Sequence, residues 1–264
     1  MATKSSGSTG SVGEAADEET RFESEDVEFE VFRYVPEEDD EPRFETYELA
    51  SEEGMTVLDA LIEIRDTIDP SLTVRHSCRM ARCGSDAVYI NGKQRLACNT
   101  QVADLDERPV RVEPLPHFDV VRDLVVEMDG FYDRMESVEP WFQPDGEPET
   151  GEEYLQSPEN RQNIDTVLDC IWCGACTSSC TPAGTDSKFE GPAAMAKAYR
   201  FYKDEREGEE ARKRRLEMLE DAHGLYRCHT QFNCTEVCPK DISPTEAIME
   251  MSRDAVKEKL RFWD

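Results

Sequence analysis

Apolar residues alternate with polar ones in Val27-Glu28-Phe29-Glu30-Val31-Phe32-Arg33-Tyr34, and more regularly in Arg43-Phe44-Glu45-Thr46-Tyr47-Glu48-Leu49. A period of two belongs to a strand with one buried face, and the acidic stretch from Glu37 to Pro42 between the runs predicts a hairpin. The period then lengthens. Val57, Leu58, Leu61, Ile62 and Ile64 recur at helical spacing, and Thr56 with Asp59 resembles a capping pair, so a helix is predicted over 56–68. Short strands are expected at 86–90 and 94–98, on either side of an Asn91-Gly92 turn, and again at 110–112. After Pro114 and Pro116, Val121, Leu124, Val125 and Met128 share one face of a helix predicted over 120–135. A Pro/Gly/Glu-rich connector over 139–151 leads to four further helices, at 159–169, 191–203, 207–223 and 245–262. The last opens on Ser243-Pro244-Thr245-Glu246, an N-cap serine with proline in the first turn and a reciprocal glutamate.

These patterns give an α+β chain in four parts: an acidic tail, 1–25, expected to be disordered; a first domain, 26–117; a helix and connector, 118–157; and an all-α helical domain, 158–264. A length of 264 residues allows about two domains of the usual ~100–150 residues. Hydrophobic residues make up 38%, and no run approaches the ~20 apolar residues that a bilayer helix needs, so a soluble or peripheral protein is expected. The net charge of −29, spread over both halves, would repel phosphate and argues against nucleic acid as a partner. Such acidity suits a highly saline cytoplasm in which salt relieves self-repulsion, or else a solubility excess in an ordinary cell; the halophilic reading is preferred.

The ten cysteines carry the chemistry. Residues 170–180 read Cys-x2-Cys-x2-Cys-x3-Cys, and 228–239 read Cys-x2-Gln-x2-Cys-x3-Cys-Pro, the same ladder with one rung changed to Gln231. In the bacterial ferredoxin run three close thiolates grip one cluster while the fourth reaches across to another. By that rule Cys170, Cys173 and Cys176 join Cys238 on a [4Fe-4S] cluster. Cys180 joins Cys228 and Cys234, a set with only three thiols, for which [3Fe-4S] is the economical assignment. Zinc asks for closed sets of four, which a 4+3 arrangement does not supply. Disulfides suit small secreted domains, and the first 26 residues contain no apolar stretch.

Upstream, Cys78-x4-Cys83-x2-Asp86, followed after eleven further residues by Cys98, is the plant-type [2Fe-2S] pattern with its third thiol replaced by carboxylate. Asp86 is either an anionic oxygen ligand to iron or a helper beside a cluster short of one ligand. Ligation is favoured, because no other thiol lies nearby to substitute. Gly84 and Ser85 are expected to turn backbone N–H groups toward cluster sulfurs, and Arg79 and Arg82 either assist electrostatically or form an ordinary solvated face. A small mixed sheet gripping one helix, with such a loop between helix and strand, is the β-grasp architecture of plant-type ferredoxins.

Together these modules resemble the iron–sulfur subunit of succinate dehydrogenase and fumarate reductase, from about Val27 to the C-terminus. The resemblance is carried by Ser77-Cys78-Arg79-Met80-Ala81-Arg82-Cys83-Gly84-Ser85-Asp86, Asn91-Gly92-Lys93, Leu96-Ala97-Cys98, Pro114-Leu115-Pro116, Lys188-Phe189-Glu190-Gly191-Pro192 and Arg227-Cys228-His229 through Val237-Cys238-Pro239-Lys240. It implies an electron-transfer subunit of a succinate:quinone oxidoreductase at the cytoplasmic face of the cell membrane. The implied partners are a flavoprotein carrying FAD, membrane anchor subunits and a quinone. The chain has no Gly-x-Gly-x-x-Gly after a strand, so dehydrogenation is expected on another polypeptide. Related complexes working toward fumarate or a thiol–disulfide acceptor, and a free ferredoxin-like carrier or zinc protein, are the competing readings. His229 matches a family histidine and could donate to a quinone carbonyl or simply fill a helix-end contact. The segment 181–187 lacks the tryptophan many relatives use for quinone, and Gln231 replaces a residue usually small or aliphatic there. Trp172 is expected to pack around the [4Fe-4S] cluster and shield it from water.

Overall fold

The alternation at residues 26–50 becomes β1 (Asp26–Arg33) and β2 (Arg43–Ala50), an antiparallel hairpin whose register sets Phe29 against Tyr47 and Val31 against Glu45. Val27, Phe29 and Val31 share one face and are buried on it. The computed structural model describes residues 26–148 and 153–261, and the disorder expected over 1–25 lies outside them. α1 (Val57–Glu63) starts with the predicted capping box: the Asp59 N–H donates to the Thr56 hydroxyl, and the Thr56 N–H donates back to the Asp59 carboxylate. It continues into a wider π-turn over Ile64–Ile68, and Leu58, Leu61 and Ile64 seal it to the sheet.

β3 (Ala87–Ile90) and β4 (Lys93–Leu96) turn back on each other through Asn91 and Gly92, both at positive φ. β5 (Val110–Glu113) lies between β1 and β3, parallel to the first and antiparallel to the second. The result is a mixed five-stranded sheet in the order β2-β1-β5-β3-β4.

Of the helix predicted over 120–135, only the second half is formed. Its first half is a two-stranded ribbon, β6 (Val120–Arg122) and β7 (Val125–Val126), and α2 begins only at Asp129 (Asp129–Ser137). The β-branched valines fit a ribbon as well as a helix face, and contacts distant in sequence decide the matter. Asp123 takes a left-handed φ of 45° in the bend. Its carboxylate accepts the N–H groups of Tyr34 and Thr73, at 3.1 and 2.8 Å, and its own N–H donates to Tyr34 O.

Arg33 completes this tie. Its buried guanidinium donates to Asp123, Glu45, Tyr47 and Ser71 at 2.7–3.1 Å, and also to Asp69. Burial pushes the Asp69 carboxyl up, but hydrogen bonds from Ser71 and Arg33 outweigh it and hold the group well below the usual carboxylate range. Removing one partner of a buried charged set costs about 3–5 kcal/mol, because the remaining charges are left uncompensated. Arg33→Leu is therefore expected to lower the melting temperature by many degrees while Arg43→Leu, on the exposed face of the hairpin, changes it little; circular dichroism melts of both variants check this.

The second half is helical. α3 (Pro158–Leu168) is capped by Ser157, whose hydroxyl accepts the Asn160 N–H. α4 (Ala175–Ser178) and α5 (Thr181–Thr185) are single turns, too short to leave a period in the sequence. α6 (Gly191–Tyr202) is the central element, with Ala193, Ala194, Met195 and Ala198 buried. α7 (Glu209–Leu219) stops four residues before the predicted end, because Asp221 caps a turn: its side chain accepts the His223 N–H and its carbonyl accepts the Gly224 N–H. α8 (Asn233–Glu236) is another single turn, and α9 (Pro244–Arg261) packs along α6. Buried Arg215 of α7 pairs with Glu207 at 2.7 Å and donates to the carbonyls of Val138 and Trp141, fastening the connector to the helices. Among the described residues no helix is long and apolar enough to cross a membrane.

Candidate metal centres

All ten cysteines are unpaired, so no disulfide framework exists. The first group forms where the loop after the π-turn folds over the residues following β4. Arg79 and Ala81 take left-handed backbone angles, φ 58° and 52°, which turn successive amides inward. The N–H groups of Met80, Arg82 and Cys83 donate to Cys78 Sγ at 3.2–3.4 Å, that of Cys78 to Cys83 Sγ at 3.5 Å, and that of Ala81 to Cys98 Sγ at 3.3 Å. These amides lower the Cys78 thiol to about 7. Ser85 approaches Cys83 through its hydroxyl, at 3.1 Å, and Gly84 serves a different purpose, described below.

Asp86 is only 2% exposed. Its Oδ2 accepts the Cys98 N–H at 2.5 Å, while Oδ1 is buried with no hydrogen-bond partner. An unpaired buried carboxylate oxygen is costly unless a cation completes it. Burial, and after it Asp86, pushes the Cys98 thiol up to about 12.

The two ladders sort into two cavities. Cys170, Cys173, Cys176 and Cys238 line one, with Phe131, Trp172 and Ala193 among its walls. Cys180, Cys228 and Cys234 line the other, with Thr181, His229, Gln231 and Thr245. Burial raises the Cys173 thiol to about 12 and the Cys180 thiol to about 11, and it also raises Cys176 well above the ordinary thiol value, with neighbouring thiolates adding to it. The α4 turn, which carries Cys176, packs against the α8 turn, which carries Cys234, so the two cavities adjoin. Thiols this dry become thiolates only against positive charge, as an iron core supplies. Among the described residues no three His, Cys, Asp or Glu side chains are arranged to hold a single metal ion.

Gln231 lies at the surface of the three-cysteine cavity, where its side-chain oxygen accepts the Thr181 hydroxyl at 3.0 Å. His229 is exposed at the same cavity. Trp172 lines the four-cysteine cavity, as expected of a shielding residue. Thr245 had signalled only a helix start, yet its hydroxyl meets Cys234 Sγ at 3.1 Å.

The first group also touches the second. Gly84, at φ 70°, lies so close to Cys173 that a Cβ built on it would fall 2.6 Å from Cys173 Cβ. Only glycine permits that approach. The [2Fe-2S]-type loop and the four-cysteine loop are thus in van der Waals contact across the boundary between sheet and helices.

A model of the 2Fe-2S iron–sulfur cluster binding domain matches residues 28–133, and one of the 4Fe-4S dicluster domain matches residues 166–242. The chain is 42% identical over 231 residues to the mitochondrial succinate dehydrogenase [ubiquinone] iron-sulfur subunit of Dictyostelium discoideum, covering 84% of this chain and 80% of the relative. Among solved structures, a chain of the Mycobacterium smegmatis Sdh1 complex in the apo form superposes with a TM-score of 0.78 at 29% identity, over 90% of this chain and 98% of its own. A hypothetical protein from Helicobacter pylori, 16% identical with a TM-score of 0.51 over 86% of this chain and 39% of its own, shares the fold alone.

Proposed function

The chain belongs to the iron–sulfur subunits of succinate dehydrogenase, and on that premise we propose that it conducts single electrons from a partner flavoprotein carrying FAD to a membrane quinone. Its β-grasp domain, 26–117, would face the flavoprotein; the segment 118–157 links it to an all-α domain, 158–264, that would face membrane anchor subunits. Nucleic acid plays no part, and the assembly would sit at the cytoplasmic face of the cell membrane.

Cys78, Cys83, Asp86 and Cys98 would hold the [2Fe-2S] cluster, Cys170, Cys173, Cys176 and Cys238 the [4Fe-4S] cluster, and Cys180, Cys228 and Cys234 the [3Fe-4S] cluster. Such clusters supply one-electron redox chemistry, which divides the electron pair released when a –CH2–CH2– unit is oxidised. The protein's share is geometric and electrostatic. The inward amides of residues 80–83 stabilise negative charge on Cys78. Gly84 keeps the first ligand set against the second, and the packing of α4 on α8 keeps Cys176 of the second beside Cys234 of the third. Exposed His229 could donate a hydrogen bond to a quinone carbonyl at the open end of this series. The observation that carries the reading is this order of contact: three sulfur sets, each adjoining the next.

Electron paramagnetic resonance on the oxidised complex is expected to show a three-iron signal. Gln231→Cys is expected to convert that centre toward [4Fe-4S] and to lower its potential, with loss of most of the three-iron signal. Deleting the gene product should abolish succinate-dependent quinone reduction in membranes. Protein containing zinc and no iron would sink the reading.

A further inference from the structure

α6 turns one face toward the four-cysteine cavity. Ala193 and Ala196 line it, and Lys197, one turn beyond Ala193, lies on the same side of the helix. The Lys197 ammonium stands 5.3 Å above the ring of Trp172, the residue placed between Cys170 and Cys173. The side chain is half-buried. Burial lowers its pKa, the Cys170 thiolate raises it, and Arg200 lowers it; no carboxylate acts on it comparably. In a chain with 59 acidic residues against 30 basic ones, a half-buried cation standing over a wall of the four-cysteine cavity is unusual. Its natural counter-charge is whatever negative charge the four thiolates and their iron core carry.

We infer that Lys197 is the positioned counter-charge of the [4Fe-4S] cluster and raises its reduction potential, because the reduced state carries one more negative charge than the oxidised state. The inference rests on assigning Cys170, Cys173, Cys176 and Cys238 to that cluster. It also fits the field of the whole chain. A net charge of −29 opposes the arrival of an electron anywhere in the protein. Surface acids act through water and fade with salt, since the screening length falls from about 10 Å at 0.1 M to about 3 Å at 1 M. A half-buried cation over an aromatic ring is screened far less, so its effect persists at high salt.

The test is a potentiometric titration of the intact complex, followed by electron paramagnetic resonance of the reduced four-iron centre, at 0.1 M and 1 M salt. Lys197→Met and Lys197→Gln are expected to make reduction about tenfold less favourable, a fall of about 59 mV for one electron, at both salt concentrations. Lys197→Arg is expected to stay near the unaltered value. Neutral variants that titrate with the unaltered protein would overturn the inference. So would an arginine variant that shifts as far as the methionine one, since packing on Trp172 would then be responsible, and so would a shift that vanishes at 1 M salt. If both neutral variants lose the four-iron centre and the arginine variant keeps it, the charge holds the cluster in place and the tuning role fails. Absence of a four-iron signal from the unaltered complex would instead defeat the ligand assignment, which keeps the two failures distinct.

Discussion

Gly84→Ala is expected to break the link between the two halves of the electron path. The added methyl would lie 2.6 Å from Cys173 Cβ and 2.9 Å from its Cα, well inside any tolerated contact. Neither side can yield cheaply: Cys173 is fixed by its place in the four-cysteine set, and Gly84 follows directly on Cys83 of the first set. The left-handed backbone adds about 1–2 kcal/mol for a non-glycine residue, and overpacking adds about 1–3 kcal/mol. Gly54 supplies the control, because it shares a left-handed φ of 79° but has nothing within 4 Å of a built Cβ. Gly54→Ala should cost only the backbone strain and leave electron transfer unchanged. Gly84→Ala should slow succinate-dependent quinone reduction at least tenfold, with a disturbed four-iron resonance, while the [2Fe-2S] absorption persists. If the two variants behave alike, close approach at Gly84 has no functional role.

What the sequence revealed depended on the range over which each feature is decided. The hairpin of β1 and β2, the capping box at Thr56 and the long helices α3, α6 and α9 follow from local period and local capping, and each formed near its predicted place. The ribbon of β6 and β7 did not, since Val120, Val121, Val125 and Val126 suit a helix face or a strand equally. What settles it is Asp123 bonding to Tyr34 and Thr73, some ninety and fifty positions away. The single-turn helices α4, α5 and α8 exist to place cysteines and are too short for any periodicity. At the metal centres the ladder spacing anticipated which thiols share a cavity, because the spacing itself is set by the size of the core they grip. The amides that face Cys78 are not legible locally, because the left-handed turns fall at Arg79 and Ala81, residues whose type gives no hint of positive φ. Lys197 was invisible because a lysine in a helix ordinarily reads as solvated surface.

Asp86 offers the other large effect. One of its oxygens accepts the Cys98 N–H and the other is buried without a hydrogen-bond partner. A carboxylate that merely supported the loop would have both oxygens satisfied, since an unpaired buried acceptor costs about 1–3 kcal/mol, and more for a charged one. Ligation to iron uses the free oxygen and compensates its charge. Asp86→Ala is then expected to lose most of the [2Fe-2S] centre, seen as a fall in iron content by two per protein and loss of the corresponding visible absorption. Asp86→Cys restores an anionic donor and is expected to keep the centre with a changed potential. Asp86→Asn separates the two roles, because its amide oxygen can still accept the Cys98 N–H while the negative charge is gone. If the asparagine variant keeps the unaltered spectrum and potential, Asp86 acts only through that hydrogen bond; if it tracks alanine, the carboxylate is a ligand to iron.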